Sequence, residues 1–120
     1  MLTQQVALKT AQQFAQEVAA ENVGLKKAIL FGSFVRNEQH EYSDIDICLV
    51  ADEFSGFGFD DMKLILKVLR KDDYLWVQTK TYSTADYLDG LAFVEEEINP
   101  KGIVLFDNLT AHQPTATAAA

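Results

Sequence analysis

Two short apolar runs, Lys27–Phe31 and Ile45–Val50, constrain this chain more than anything else in it, because of what lies at their ends. The first stops at Gly32-Ser33, a polar loop follows, and the second is entered through Ser43-Asp44-Ile45-Asp46. Apolar runs of this length read as buried strands. A strand that served only to fill a core would not open on two charges. Side chains alternate across a strand, so Asp44 and Asp46 share one face with Cα atoms about 6.6 Å apart, while Ile45, Ile47 and Leu49 anchor the other face in a core. Carboxylates that close raise one another's cost of ionisation. A divalent cation between them offsets that cost, and hard oxygen ligands suit Mg2+ or Mn2+.

The end of the first run completes the pattern. Gly32 has no Cβ, so the backbone can turn sharply there and a ligand can approach it closely. Ser33 offers a hydroxyl and an amide, and a helical turn starting at this point would present free N–H groups to a phosphate. Arg36 can lie on the same side of that turn and add a positive charge. The expected arrangement is a phosphate cradle at one strand end and a metal holder on the neighbouring strand.

The remaining sequence supplies the frame. Thr3 to about Asn22 has apolar residues at helical spacing, with Thr3 as cap. A second helix is expected over Phe59–Leu69, with Met62, Ile65, Leu66 and Leu69 on one side. Leu75–Tyr82 alternates as a strand, Ser83 or Thr84 caps a third helix through about Glu97, and Ile103–Phe106 is a last strand. Strands alternating with helices indicate an α/β (α+β) sheet domain with about four strands. A single domain is expected over residues 1–107, with residues 108–120 a disordered tail.

Composition excludes several classes. With a net charge of −8 and a pI near 4.5, the chain is a poor match for extended nucleic acid, which is bound through clustered Lys and Arg. No apolar run is long enough to span a membrane. A start without a basic, apolar leader and a single cysteine, Cys48, lead to the expectation of a cytoplasmic protein.

Taken singly, a Gly-Ser after a strand is a turn, paired aspartates are solvated strand-end charges, and Arg36 is a surface residue. Together, "LFGSFVRNEQHEYSDIDICLV" resembles the signature of the minimal nucleotidyltransferases of the DNA polymerase β-like superfamily, matching at Gly32, Ser33, Arg36, Ser43, Asp44 and Asp46. The resemblance extends more loosely from Lys27 to Asp107. It implies a nucleotidyltransferase fold, a mixed sheet flanked by helices, and an NTP, ATP above all, held by Gly32, Ser33, Arg36 and Ser43. It also implies Mg2+ or Mn2+ held by Asp44 and Asp46 as catalytic residues, and transfer of a nucleoside monophosphate, AMP, to an acceptor hydroxyl. The acceptor would be presented by a partner, because relatives of this kind pair with small helical HEPN-domain proteins in toxin–antitoxin modules.

One position departs from the family. The third carboxylate would come from the strand "YLWVQTKTYS", where Gln78 aligns. Glutamine offers one neutral oxygen and cannot act as a base, and Lys80 would weaken the negative potential further. Asp72 and Asp73 precede the strand and look too distant to substitute. Two readings therefore stand side by side, an active transferase and a degenerate module that binds a nucleotide or a partner. An oligomer is compatible with either.

Other features weigh less. His40 lies in the loop before the aspartates and His112 in the tail. "VEEEI" at 94–98 reads as a solvated helix end rather than an acidic docking patch. Phe54, Phe57 and Phe59 are expected to pack their loop onto the core rather than stack on a base. Trp76 could contact a nucleotide or close the sheet face.

Overall fold

The computed structural model describes residues 3–39 and 43–109. Helix α1, Gln4–Ala19, opens on Thr3, whose Oγ1 accepts from the Val6 amide at 3.1 Å. Strands β1 (Leu25–Phe31) and β2 (Ile45–Ala51) follow, separated by the one-turn helix α2 (Ser33–Arg36). Then come α3 (Gly58–Leu64), α4 (Leu66–Leu69) and a 3-10 turn at Asp72–Tyr74. Strand β3 (Val77–Ser83), helix α5 (Thr84–Leu88), a π-type turn at Val94–Ile98 and strand β4 (Ile103–Asp107) complete the chain. The sheet runs β3-β2-β1-β4, with β1 antiparallel to β2 and β4, and β2 parallel to β3. This is the expected mixed four-stranded sheet flanked by helices.

The parallel pair of β2 with the edge strand β3 requires a crossover, and α3–α4 provides it. The two sheet faces are then covered unequally. One carries the larger core: Ile45, Ile47 and Leu49 meet Ala11, Phe14 and Val18 of α1 together with Ile65 and Val68. Burying a side chain the size of Phe14 contributes about 1.5–3 kcal/mol, and its ring meets Tyr74 edge-on at 5.0 Å. The other face carries a smaller cluster of Ile29, Cys48, Val50, Tyr82, Val94 and Ile98, with Phe31 at its margin. Beyond that margin lies the strand end bearing Asp46.

Three local expectations need correction. The helix expected over Phe59–Leu69 breaks at Ile65, and its buried residues are Asp61, Ile65 and Val68, while Met62 and Leu66 face solvent. The helix expected to run to Glu97 stops after Leu88, where Gly90 takes φ +77, and resumes as the separate turn at 94–98. Of the three loop aromatics only Phe54 packs inward, and Phe57 and Phe59 are exposed. These two also follow the far end of β2 from Asp46, about 17 Å along the strand, too distant to stack on a ligand there. His40, His112 and most of the tail lie outside the described residues.

Candidate active site

The antiparallel register sets Phe31 opposite Asp46, which brings the end of β1 against the start of β2. Gly32 is the next residue, at φ +88, a conformation that side-chain-bearing residues rarely adopt. A Cβ placed there would lie 2.3 Å from Asp46 Oδ2 and 3.1 Å from its Cγ. Gly32 is thus required twice, by its own backbone and by the carboxylate that occupies the space of a side chain.

Beyond it, the Gly32 carbonyl accepts from the amides of Val35 at 3.2 Å and Arg36 at 3.4 Å, closing the single turn of α2. The amides of Ser33 and Phe34 stand at its start, where a helix has no internal acceptor to offer. Phe34 is buried, and Asn37 ends the turn in the left-handed conformation. Gln4, at the start of α1, donates from Nε2 to the carbonyls of Phe34 (2.8 Å) and Val35 (3.3 Å), tying the turn to the main helix. Nothing local in the sequence marks Gln4 for this role, because its partners are 30 residues away.

Asp46 is half-buried and Asp44, just before β2, is exposed. Burial, then the charge of Asp44, push the Asp46 carboxyl above the usual carboxylate range, and the Arg36 guanidinium offsets part of the rise. Among the described residues none donates a hydrogen bond to Asp46. Arg36 itself is turned to the surface, with Nε 2.6 Å from Glu38 Oε1. Ser43 is buried immediately before the pair.

The parallel register sets Gln78 beside Asp46, the position that the family resemblance aligned with a third carboxylate, with its side chain exposed. Lys80 is not the electrostatic neighbour expected. Its ammonium lies over the rings of Phe93 (5.0 Å) and Tyr82 (5.8 Å), and the groups that shift Asp46 do not include it. Its charge instead bears on Cys48, whose thiol burial pushes up to about 12. Trp76 precedes β3, and its carbonyl accepts from the Ile45 amide at 2.7 Å. Asp72 and Asp73 stay in the exposed turn before β3.

Among the described residues no three His, Cys, Asp or Glu side chains converge as a metal site. The donor set is two carboxylates, one of them without a donor among the described residues and held partly out of water, beside a neutral amide. Such a set fits a hard divalent cation, whose charge would relieve the repulsion between Asp44 and Asp46.

The nucleotidyltransferase domain model matches residues 11–106. The chain therefore belongs to the nucleotidyltransferase domain family. Its fold is shared with a Sulfolobus solfataricus protein assigned as a nucleotidyltransferase (TM-score 0.63, 22% identity, 88% of this chain and 85% of that one). It is also shared with a toxin–antitoxin structure containing AMP-PNP (TM-score 0.57, 16% identity, 90% and 96%). A third likeness is to a toxin–antitoxin MntA–HpeT mutant in which two aspartates, two residues apart, are changed to glutamate (TM-score 0.53, 14% identity, 89% and 94%). No curated protein matches. Among the described residues no helix is long and apolar enough to cross a membrane.

Proposed function

We propose that this chain transfers AMP from ATP to a hydroxyl on a partner protein, a small helical HEPN-domain protein of a toxin–antitoxin pair, with Mg2+ or Mn2+ held by Asp44 and Asp46. The observation that carries the reading is Asp46 itself: a half-buried carboxylate, raised in pKa, pressed into the space left by Gly32 and without a donor among the described residues. A fold that wanted only a strand there would gain by replacing it with an apolar residue.

In the reaction, the acceptor oxygen bonds to the α-phosphorus as the bond from that phosphorus to the α,β-bridging oxygen breaks. Pyrophosphate leaves, and the hydroxyl proton passes to solvent. Gly32 lets the Asp46 carboxylate close against the turn, the Ser33 amide and hydroxyl orient the phosphates, and Arg36, released from Glu38, adds charge against them. Ser43 steadies the entry to β2. Bound divalent ions would neutralise the triphosphate and lower the pKa of the attacking hydroxyl. The AMP-PNP in one toxin–antitoxin neighbour supports an adenine nucleotide, and the paired-aspartate mutant of another supports attention to Asp44 and Asp46.

The pairing of Gln78 with Asp46 favours a second reading. Without a third carboxylate the same site could bind nucleotide or partner and not turn over. The test is incubation with α-labelled ATP, Mg2+ or Mn2+ and a HEPN-domain partner, alongside Asp44→Ala. Label on the partner that Asp44→Ala abolishes establishes transfer. Metal-dependent nucleotide binding by calorimetry without label establishes the binder.

A further inference from the structure

On the face of the sheet that carries Asp46, one cation stands apart. Six of the chain's ten Lys and Arg residues lie within ion-pair distance of an acidic side chain. Of the other four, Lys9 is on α1, and Lys67 and Arg70 are on α4 or at its end. Only Lys80 is on the sheet. It is exposed on the edge strand β3, and among the described residues no acidic side chain pairs with it.

The register fixes where that charge sits. Phe31 pairs with Asp46 and Asp46 with Gln78, so these three form one row across β1, β2 and β3. Lys80, beside Cys48, is the next residue of β3 on the same face. Its diagonal distance from Asp46 is about 7–8 Å between backbones, within reach of a long side chain. At rest the ammonium lies instead 5.0 Å from the centre of the Phe93 ring. That ring is half-exposed and meets Phe31 edge-on at 5.9 Å, so it bridges from β1 to β3 over β2 and walls the site beside Asp46. A cation on a ring face is weakly held at an exposed position, so a phosphate can draw it away.

The role of this charge rests on the nucleotide site proposed above. The Gly32-Ser33 turn lies on the β1 side of Asp46 and Lys80 on the β3 side. A triphosphate whose outer phosphates are held at Ser33 carries its α-phosphate across Asp46 toward β3, where Gln78 is neutral. We propose that on nucleotide binding Lys80 leaves the Phe93 ring and donates a hydrogen bond from its ammonium to a non-bridging oxygen of the α-phosphate. There it adds positive charge at the reacting phosphorus, on the side where Gln78 brings no carboxylate to hold an ion. The ammonium keeps its proton throughout. It stabilises charge on the phosphoryl oxygens and takes no part in the exchange of bonds.

The full chain is titrated with ATP, in EDTA and again in Mg2+, and compared with three variants. Lys80→Met keeps an unbranched stem for Phe93 and loses the charge, and Lys80→Arg keeps the charge. Lys67→Met removes a charge on the larger-core side of the sheet, away from Asp46. Expected is a shift of the α-phosphorus resonance of ATP on binding to the wild type, read by phosphorus NMR, that Lys80→Met abolishes and Lys80→Arg restores. The affinity for ATP, read by calorimetry, should fall about tenfold in Lys80→Met and stay unchanged in Lys67→Met. In the labelling assay Lys80→Met should lower the rate about 100-fold or more. An α-phosphorus shift that survives Lys80→Met overturns the assignment, and if Asp44→Ala still abolishes labelling, the transfer reading stands without it. An equal loss of affinity in Lys67→Met also overturns it, since the effect is then one of net charge. If the wild type binds ATP in neither condition, the proposal falls together with the nucleotide site on which it rests.

Discussion

Two aspartates on neighbouring strands and helices meet opposite fates in this fold. Asp61, 1% exposed, accepts from the Ser55 amide (2.8 Å) and hydroxyl (3.1 Å), the Gly56 amide (3.0 Å) and the Thr81 hydroxyl (2.6 Å). Burial raises its pKa, but these donors outweigh burial and hold it below the usual value. Asp46 is less buried, has no such donors among the described residues, and is raised. A carboxylate that the protein satisfies internally is a staple, here binding the turn after β2 to α3 and β3. One that finds no donor among the described residues, next to a second carboxylate, is the candidate for a partner from outside.

The sharpest way to break that distinction is to remove each carboxylate in turn. Asp61→Ala strands four donors in or near the core and should destabilise the protein by about 3 kcal/mol, read by urea unfolding. Nucleotidyl transfer per folded molecule should change little. Asp46→Ala should leave stability unchanged or raise it, and lower transfer by more than the roughly 10- to 100-fold that loss of an outer partner of a metal site costs. Equal destabilisation by both substitutions would mean that Asp46 is structural too.

Gly32→Ala comes next. The added methyl must displace the Asp46 carboxylate and the backbone must hold a side-chain residue at φ +88, so a loss of about 1–3 kcal/mol is expected. The double variant with Asp46→Ala relieves the clash but not the dihedral. Recovery of part of the lost stability in the double variant, measured as a thermodynamic cycle, assigns that part to the contact.

How much of this was visible before the fold is itself explained by the two aspartates. The inward set of Ile45, Ile47 and Leu49 follows from the two-residue period of a strand, which needs no tertiary information, whereas the place of Gln78 beside Asp46 was legible only through the family resemblance, because the register of two strands joined by a crossover is set by the fold. Asp61 could not be read, since its four donors come from residues 55, 56 and 81, and a buried charge is recognisable only once they converge. The mistake over α3–α4 has the opposite origin. Met62 and Leu66 look like core residues by hydropathy, and periodicity alone cannot say which of two apolar stripes faces the sheet. The break at Gly90 was legible as a glycine but not as a left-handed turn, which depends on how the segment at 94–98 packs back through Val94 and Ile98.

Acid should separate the two aspartates in opposite directions. Asp61 has a folded-state pKa below its unfolded value, so its stabilising contribution is full above the ordinary carboxylate pKa of 3.8 and is lost as pH falls through the lowered value. Asp46 has a folded-state pKa above its unfolded value, so its charge costs stability at neutral pH. That cost is relieved as pH falls through the raised value toward 3.8. Unfolding free energies of the wild type, Asp61→Asn and Asp46→Asn between about pH 3 and about pH 7 should show the stability lead of Asp46→Asn shrinking with acid. The deficit of Asp61→Asn should shrink only in the most acid part of the range.

The smallest expected effect falls on Gln78, and it decides between the two functional readings. Gln78→Glu sets a third carboxylate beside Asp46 in register on an exposed strand position, so its folding cost is slight and the local repulsion grows. In the absence of a cation that repulsion raises the Asp46 pKa further and lowers stability by a few tenths of a kcal/mol, as for like charges set side by side in a sheet. With Mg2+ or Mn2+ present the sign reverses, because the added charge strengthens the ion's hold, and both thermal stability and transfer should rise. A metal-dependent gain in melting temperature together with faster labelling means the native amide only weakens a working site. A metal-dependent gain in stability with no labelling in either protein means that the chain binds and does not transfer, and that more than Gln78 separates it from catalysis.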